Sequence, residues 1–95
     1  MTTKLDWQGR VGAEWADKAD ALDRLLGPSG DAALAAMAPR AGMRVLDLGC
    51  GAGATSFALA AAGAEVWGVD VSADLLARAR ARQAARADMA GVHFI

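Results

Sequence analysis

The stretch Val45-Leu46-Asp47-Leu48-Gly49-Cys50-Gly51-Ala52-Gly53 constrains this chain more than any other, because a short apolar run ends in three alternate glycines and a helical pattern follows. Arg44 to Leu48 reads as a strand buried on both faces, being mostly apolar, carrying a β-branched residue and lying between glycines. From Thr55 the pattern is helical through Phe57, Ala58, Leu59 and Ala62, and Gly63 offers a left-handed stop. A strand, glycine loop and helix in that order belong to an open parallel sheet, whose ligands sit outside the carboxyl ends of the strands. Glycines in such a loop let the backbone approach a ligand that any Cβ would push away. The N–H groups of the following helix, near Ala54 and Thr55, point at the same space.

The flanking segments extend the pattern. Glu65 to Val69 reads as a second strand, and Ser72 caps a long Ala/Arg-rich helix from residue 73 to about 90 that Gly91 closes. Val92-His93-Phe94-Ile95 begins a third strand. Upstream, residues 1–12 show no clear period and read as an irregular arm. Trp15, Ala19, Leu22 and Leu26 line one face of a helix over 13–26, which Gly27-Pro28 ends. Ser29 or Asp31 caps a second short helix to about Ala38, with Leu34 and Met37 inward and Pro39 as its stop. The expected fold class is α/β: a three-layer, Rossmann-like parallel sheet, first three strands only, preceded by two helices. Residues 1–42 form the arm and helices, and 43–95 the first half of the sheet domain.

Composition narrows the partners. The chain has 95 residues, 10 Lys+Arg against 11 Asp+Glu, and scattered basic residues, which is not the electrostatic footprint of a nucleic-acid binder. No apolar run reaches the roughly 18 to 20 residues of a membrane span. The hydrophobic share of 55% is inflated by 25 alanines, so large core formers are scarcer than it suggests. The single Cys50 cannot form an internal disulfide and Met1 to Asp6 contains no apolar secretory stretch, so a cytoplasmic protein is expected. No cluster with metal-ligand spacing is visible.

Asp70 stands 17 residues after Gly53, at the end of the second strand. A carboxylate there can accept two hydrogen bonds from a ribose diol, and adjacent parallel strands bring it to the rim that carries Gly49 to Gly53. Loop and carboxylate together propose an adenosine site. Gly49-x-Gly51-x-x-Ala54 also satisfies the loose dinucleotide fingerprint, so the glycines alone do not choose the cofactor. Asp47 bears on the choice: two residues before the first glycine it opposes a pyrophosphate by like charge and favours the cationic amino group of a methionine moiety.

Asp47-x-Gly49-x-Gly51-x-Gly53 with Asp70 ending the next strand resembles the first motif and following acidic motif of class I S-adenosylmethionine-dependent methyltransferases. More narrowly, Trp15 to Leu59 resembles the small-molecule methyltransferases of ubiquinone and menaquinone biosynthesis. The resemblance implies S-adenosyl-L-methionine as cofactor, with Gly49, Gly51 and Gly53 lining its methionine and ribose part. It also implies that Asp47 holds the amino group directly or through water, Asp70 the ribose hydroxyls, and Val71 the adenine ring. Cys50 belongs to the same cofactor loop as a small packing residue and not as a nucleophile. Trp7 and Trp15 become candidates for closing the site. The implied partner is a small-molecule methyl acceptor bound by later strands, so no catalytic residue is assigned within these 95 residues. Two alternatives stay open: a nicotinamide-dinucleotide-binding fragment of an oxidoreductase, and a non-catalytic cofactor-binding module.

Several residues have plainer readings. Trp15 reads first as core, and Trp67 as a strand residue packed on a helix. His93 reads as a strand residue and not a general base. Arg78, Arg82 and Arg86 read as a solvated helix face. With three strands, residues 44–48 form an exposed apolar edge that invites self-association.

Overall fold

The computed structural model describes residues 3–95. It contains helices α1 (Lys4–Gln8), α2 (Arg10–Asp17) and α3 (Ala19–Met37), then β1 (Arg44–Leu48), α4 (Ala54–Ala61), β2 (Glu65–Val69), α5 (Ala73–Ala84) and β3 (Val92–Phe94). The strands form one parallel sheet in the order β1-β2-β3, with Val45 opposite Val66 and Val66 opposite Val92. The α/β class and all three strands are as expected from the sequence.

Three helices precede the sheet instead of two: the helix expected over 13–26 is broken at Lys18, between α2 and α3, and the leading segment differs in two further ways. First, the described part of the expected arm is helical. Thr3 accepts from the Asp6 amide through Oγ1 while its own amide donates to Asp6 Oδ2 at 2.8 Å, a reciprocal cap that starts α1. Second, α3 runs unbroken through Gly27 and Pro28. Pro disfavours the helical conformation of its predecessor partly by striking that residue's Cβ, and Gly27 has none. The helix ends instead on left-handed Ala38, just ahead of Pro39.

α5 is shorter than the alanine pattern suggests and stops at Ala84. The Gln83 side chain donates to the carbonyls of Met89 and Val92, at 2.9 and 2.7 Å, and folds the chain back. That turn delivers Met89 into a cluster with Phe57 and Val92, which a straight helix could not do. Ser72 caps α5 as expected, accepting from the Leu75 amide at 3.2 Å. α2 seats on that same cap. A Cβ on Gly12 would lie 2.4 Å from Ser72 Oγ, so only glycine lets the two backbones approach so closely.

β1 is not buried on both faces. Leu59 and Phe57 of α4 cluster with Val45, Val66 and Val92 on one side of the sheet. Leu46 and Leu48 point the other way and are 59% and 74% exposed. Strand periodicity separates the two sets, and among the described residues α4 covers only the first. Trp67, expected to pack on a helix, has its ring stacked on His93 of the neighbouring strand at 5.3 Å, with Arg44 at 5.3 Å from its centroid. β1 is therefore both an edge strand and an apolar one, as the sequence reading expects.

Candidate functional site

The loop after β1 folds as the glycine pattern requires. Gly49, Gly51 and Gly53 have φ of 70°, 56° and 93°, a left-handed region that side chains disfavour. The Gly49 and Cys50 amides both donate to the Val69 carbonyl, at 2.7 and 3.0 Å, which ties the start of the loop to the tip of β2. Gly53 begins α4, and its amide donates to the Cys50 carbonyl. The glycines differ in purpose. A Cβ on Gly49 or Gly51 would meet nothing within 4 Å, whereas one on Gly53 would lie 2.9 Å from the Phe94 ring. Gly49 and Gly51 therefore leave space above the loop, and Gly53 allows close packing beneath it.

Asp70 joins the same structure. Its Oδ2 accepts from the Gly51 amide at 2.9 Å and its Oδ1 from the Ser72 amide at 2.8 Å. Each oxygen is thus positioned by one backbone donor and keeps a second acceptor direction. The carboxylate anchors the loop as well as presenting a rim charge, a role that sequence spacing alone does not reveal.

Two clefts meet over the loop. The first, about 470 Å³, lies between Gly49, Gly51, Asp70 and Val71 on one side and Trp7 and Trp15 on the other. The second, about 490 Å³, lies between residues 49–55 and the inner side of α3, including Leu22, Leu26 and Leu34. Trp15 borders both. It is 39% exposed and meets Trp7 edge-on at 5.3 Å, so it is a cleft wall and not the core residue its helical spacing suggests.

The fold thus brings Gly49, Gly51, Asp70 and Val71 to one cleft and Gly49, Cys50, Gly51 and Gly53 to the other. Asp47 borders neither. Its Oδ2 accepts from the fully buried Ser56 hydroxyl at 2.7 Å, beneath the loop. In the sequence, the only mark of Ser56 is that it is a polar residue in a mostly apolar helix.

Cys50 is a packing residue. It is buried, and its Sγ lies where a Cβ on Gly68 would approach to 3.0 Å. Burial pushes its thiol up to about 12, and the carboxylates of Asp47 and Asp70 add to the shift. A thiol so held carries very little thiolate at neutral pH. Disulfide exchange with a chromogenic reagent at pH 8 should therefore be at least about tenfold slower in the folded protein than in urea. Equal rates would show that Cys50 is not held this way.

Arg82 corrects the reading of α5 as a solvated face. Its guanidinium donates to the Ala52 carbonyl at 3.2 Å and pairs with Asp23 at 2.8 Å and with Asp20. Arg78 adds a pair with Asp20 at 3.2 Å, and Arg86 lies 4.5 Å above the Phe57 ring. Arg78 and Arg82 reach carboxylates supplied by α3, and Arg86 a ring supplied by α4, which a single-helix projection cannot include.

A family model described as a methyltransferase domain matches residues 39–95, and the chain belongs to that methyltransferase domain family. Over 40 residues, 42% of the chain, it is 58% identical to the ubiquinone biosynthesis O-methyltransferase of Aromatoleum aromaticum, of which those residues cover 17%. A SAM-dependent methyltransferase from Thiobacillus denitrificans, solved in complex with S-adenosyl-L-homocysteine, superposes with a TM-score of 0.62 at 37% identity, over 72% of this chain and 28% of that one. A SAM-dependent methyltransferase from Geobacter sulfurreducens, also in complex with S-adenosyl-L-homocysteine, gives 0.59 at 34% identity, over 74% and 27%. The chain thus spans 17% to 28% of the length of these relatives.

Proposed function

We propose that this chain is the S-adenosyl-L-methionine-binding part of a methyltransferase that acts on a small-molecule acceptor. The observation that carries the reading is the open, left-handed Gly49 and Gly51 beside Asp70, facing Trp7 and Trp15 across a cleft of nucleoside size. The cofactor fits what the residues offer: Gly49 and Gly51 keep Cβ atoms out of the space it would fill, and both Asp70 oxygens retain acceptor capacity for a ribose diol. The family match and the S-adenosylhomocysteine complexes of the two superposed structures support the same choice and do not favour a nicotinamide cofactor.

In this reading residues 43–95 form the first half of the cofactor domain and residues 1–42 supply its cover. Asp70 holds the ribose, and Val71 and the two tryptophans hold the adenine. Gly49, Cys50, Gly51 and Gly53 offer backbone to the chain beyond the ribose. Asp47 serves the amino group at one remove, through water or the loop, because Ser56 already occupies one of its oxygens. The bound cofactor supplies an electrophilic methyl group. The protein's part is to hold it in line with the acceptor and away from water. A reducing, cytoplasmic setting agrees with the buried free Cys50.

Calorimetry and thermal melting with S-adenosylhomocysteine and NAD test the reading directly. S-adenosylhomocysteine at about 100 times its Kd should stabilise the fold by about 2.7 kcal/mol. NAD should have no effect. Absence of a shift with S-adenosylhomocysteine, or an equal shift with NAD, would overturn the assignment.

A further inference from the structure

We propose that Arg82 is a positioning residue that orients the cofactor loop and couples it to α3; this rests on the S-adenosylmethionine-binding reading. The side chain belongs to α5, yet all its partners lie elsewhere: the Ala52 carbonyl in the middle of the glycine loop, and Asp20 and Asp23 on α3. The arginine is only 14% exposed, against 43% for Arg78, and its contact with the Ala52 carbonyl is partly buried; Asp20 and Asp23 are themselves 63% and 39% exposed, so the shielding belongs to the loop contact and not to the ion pairs.

The contact with Ala52 fixes the direction of a peptide group. Ala52 lies between Gly51 and Gly53, which lack the Cβ atoms that would otherwise restrict the backbone. The charged donor turns the Ala52 carbonyl toward α5. On the other side of that residue, the Asp70 carboxylate holds the Gly51 amide. The loop is thereby gripped by a cation on one flank and an anion on the other. The same guanidinium holds α3, whose Leu22, Leu26 and Leu34 wall the second cleft. Ordering the loop around a ligand and seating α3 therefore share one group. Ligand in the glycine-loop cleft stabilises the docked α3, and docked α3 strengthens ligand binding by the same factor.

The test compares S-adenosylhomocysteine affinity and amide exchange across α3 in the wild type, Arg82→Gln, Arg82→Lys and Arg78→Gln. Arg82→Gln should weaken binding at least about tenfold, the scale of a charged hydrogen bond. Arg82→Lys should recover part of the loss, and Arg78→Gln should stay within about twofold of wild type. S-adenosylhomocysteine should slow exchange in α3 of the wild type, and this protection should disappear in Arg82→Gln. A simple staple would lower the melting temperature and leave both readouts unchanged, and that result overturns the proposal. If Arg82→Gln does not fold, the Asp20→Asn/Asp23→Asn double variant takes its place: it keeps the arginine and releases α3, so the ligand should no longer protect α3, and persistent protection overturns the proposal. A wild type that fails to bind S-adenosylhomocysteine overturns the functional reading and this inference together. A wild type that binds beside equally tight Arg82 variants overturns this inference alone.

Discussion

Gly51→Val is expected to abolish detectable S-adenosylhomocysteine binding while leaving the protein folded. At φ 56° a valine pays the left-handed penalty of about 1 to 2 kcal/mol, more for a branched side chain. Because its Cβ would meet no protein atom within 4 Å, the side chain projects into the space above the loop. The stability loss is therefore bounded and the steric block is not. Gly42→Ala is the control. It sits at φ 82° with nothing within 4 Å of its Cβ, in the turn before β1 and away from both clefts. It should show backbone strain and unchanged affinity. Calorimetry on both variants decides the matter, and equal binding by Gly51→Val and wild type would remove the loop from the site.

Asp70→Ala is expected to weaken S-adenosylhomocysteine by about 1.5 to 3 kcal/mol, or roughly 10- to 150-fold. The structure adds a second consequence. Without the carboxylate, the amides of Gly51 and Ser72 lose their acceptor, so the loop and the cap of α5 loosen together. Urea denaturation should show a loss of about 1 to 2 kcal/mol beside the affinity change. Asp70→Asn separates the two effects, since one carbonyl oxygen can keep a single amide partner while the charge is lost. Affinity equal to wild type in both variants would place the ribose elsewhere.

These two residues show why part of the site is legible in sequence. Gly49, Gly51 and Gly53 announce themselves because no other residue adopts their backbone conformation without strain, and alternate spacing after an apolar run leaves few folds that need it. Asp70 follows from parallel pairing, since the strand that carries it neighbours the strand that feeds the loop. Local chemistry also fixes the Ser72 cap and the ends of β1 and β2. Each of these depends on residues close in sequence, or on a pairing that the strand order itself implies.

Most departures from expectation have the opposite property, the continuation of α3 being the local exception. Gly27-Pro28 is a helix stop by propensity, yet α3 continues because Gly27 has no Cβ for the proline ring to strike. Arg82 looks solvent-facing until α3 supplies Asp20 and Asp23 and the loop supplies a carbonyl. Trp15 has the spacing of a core residue and becomes a cleft wall.

By itself the sequence determined the parallel α/β class, the glycine loop and the rim carboxylate, because backbone stereochemistry and strand periodicity are local constraints. Only the tertiary structure decided which face of the sheet α4 covers, where the arginines find their partners and which side chains border the clefts. Those outcomes depend on groups far apart in the chain whose relative placement no spacing encodes.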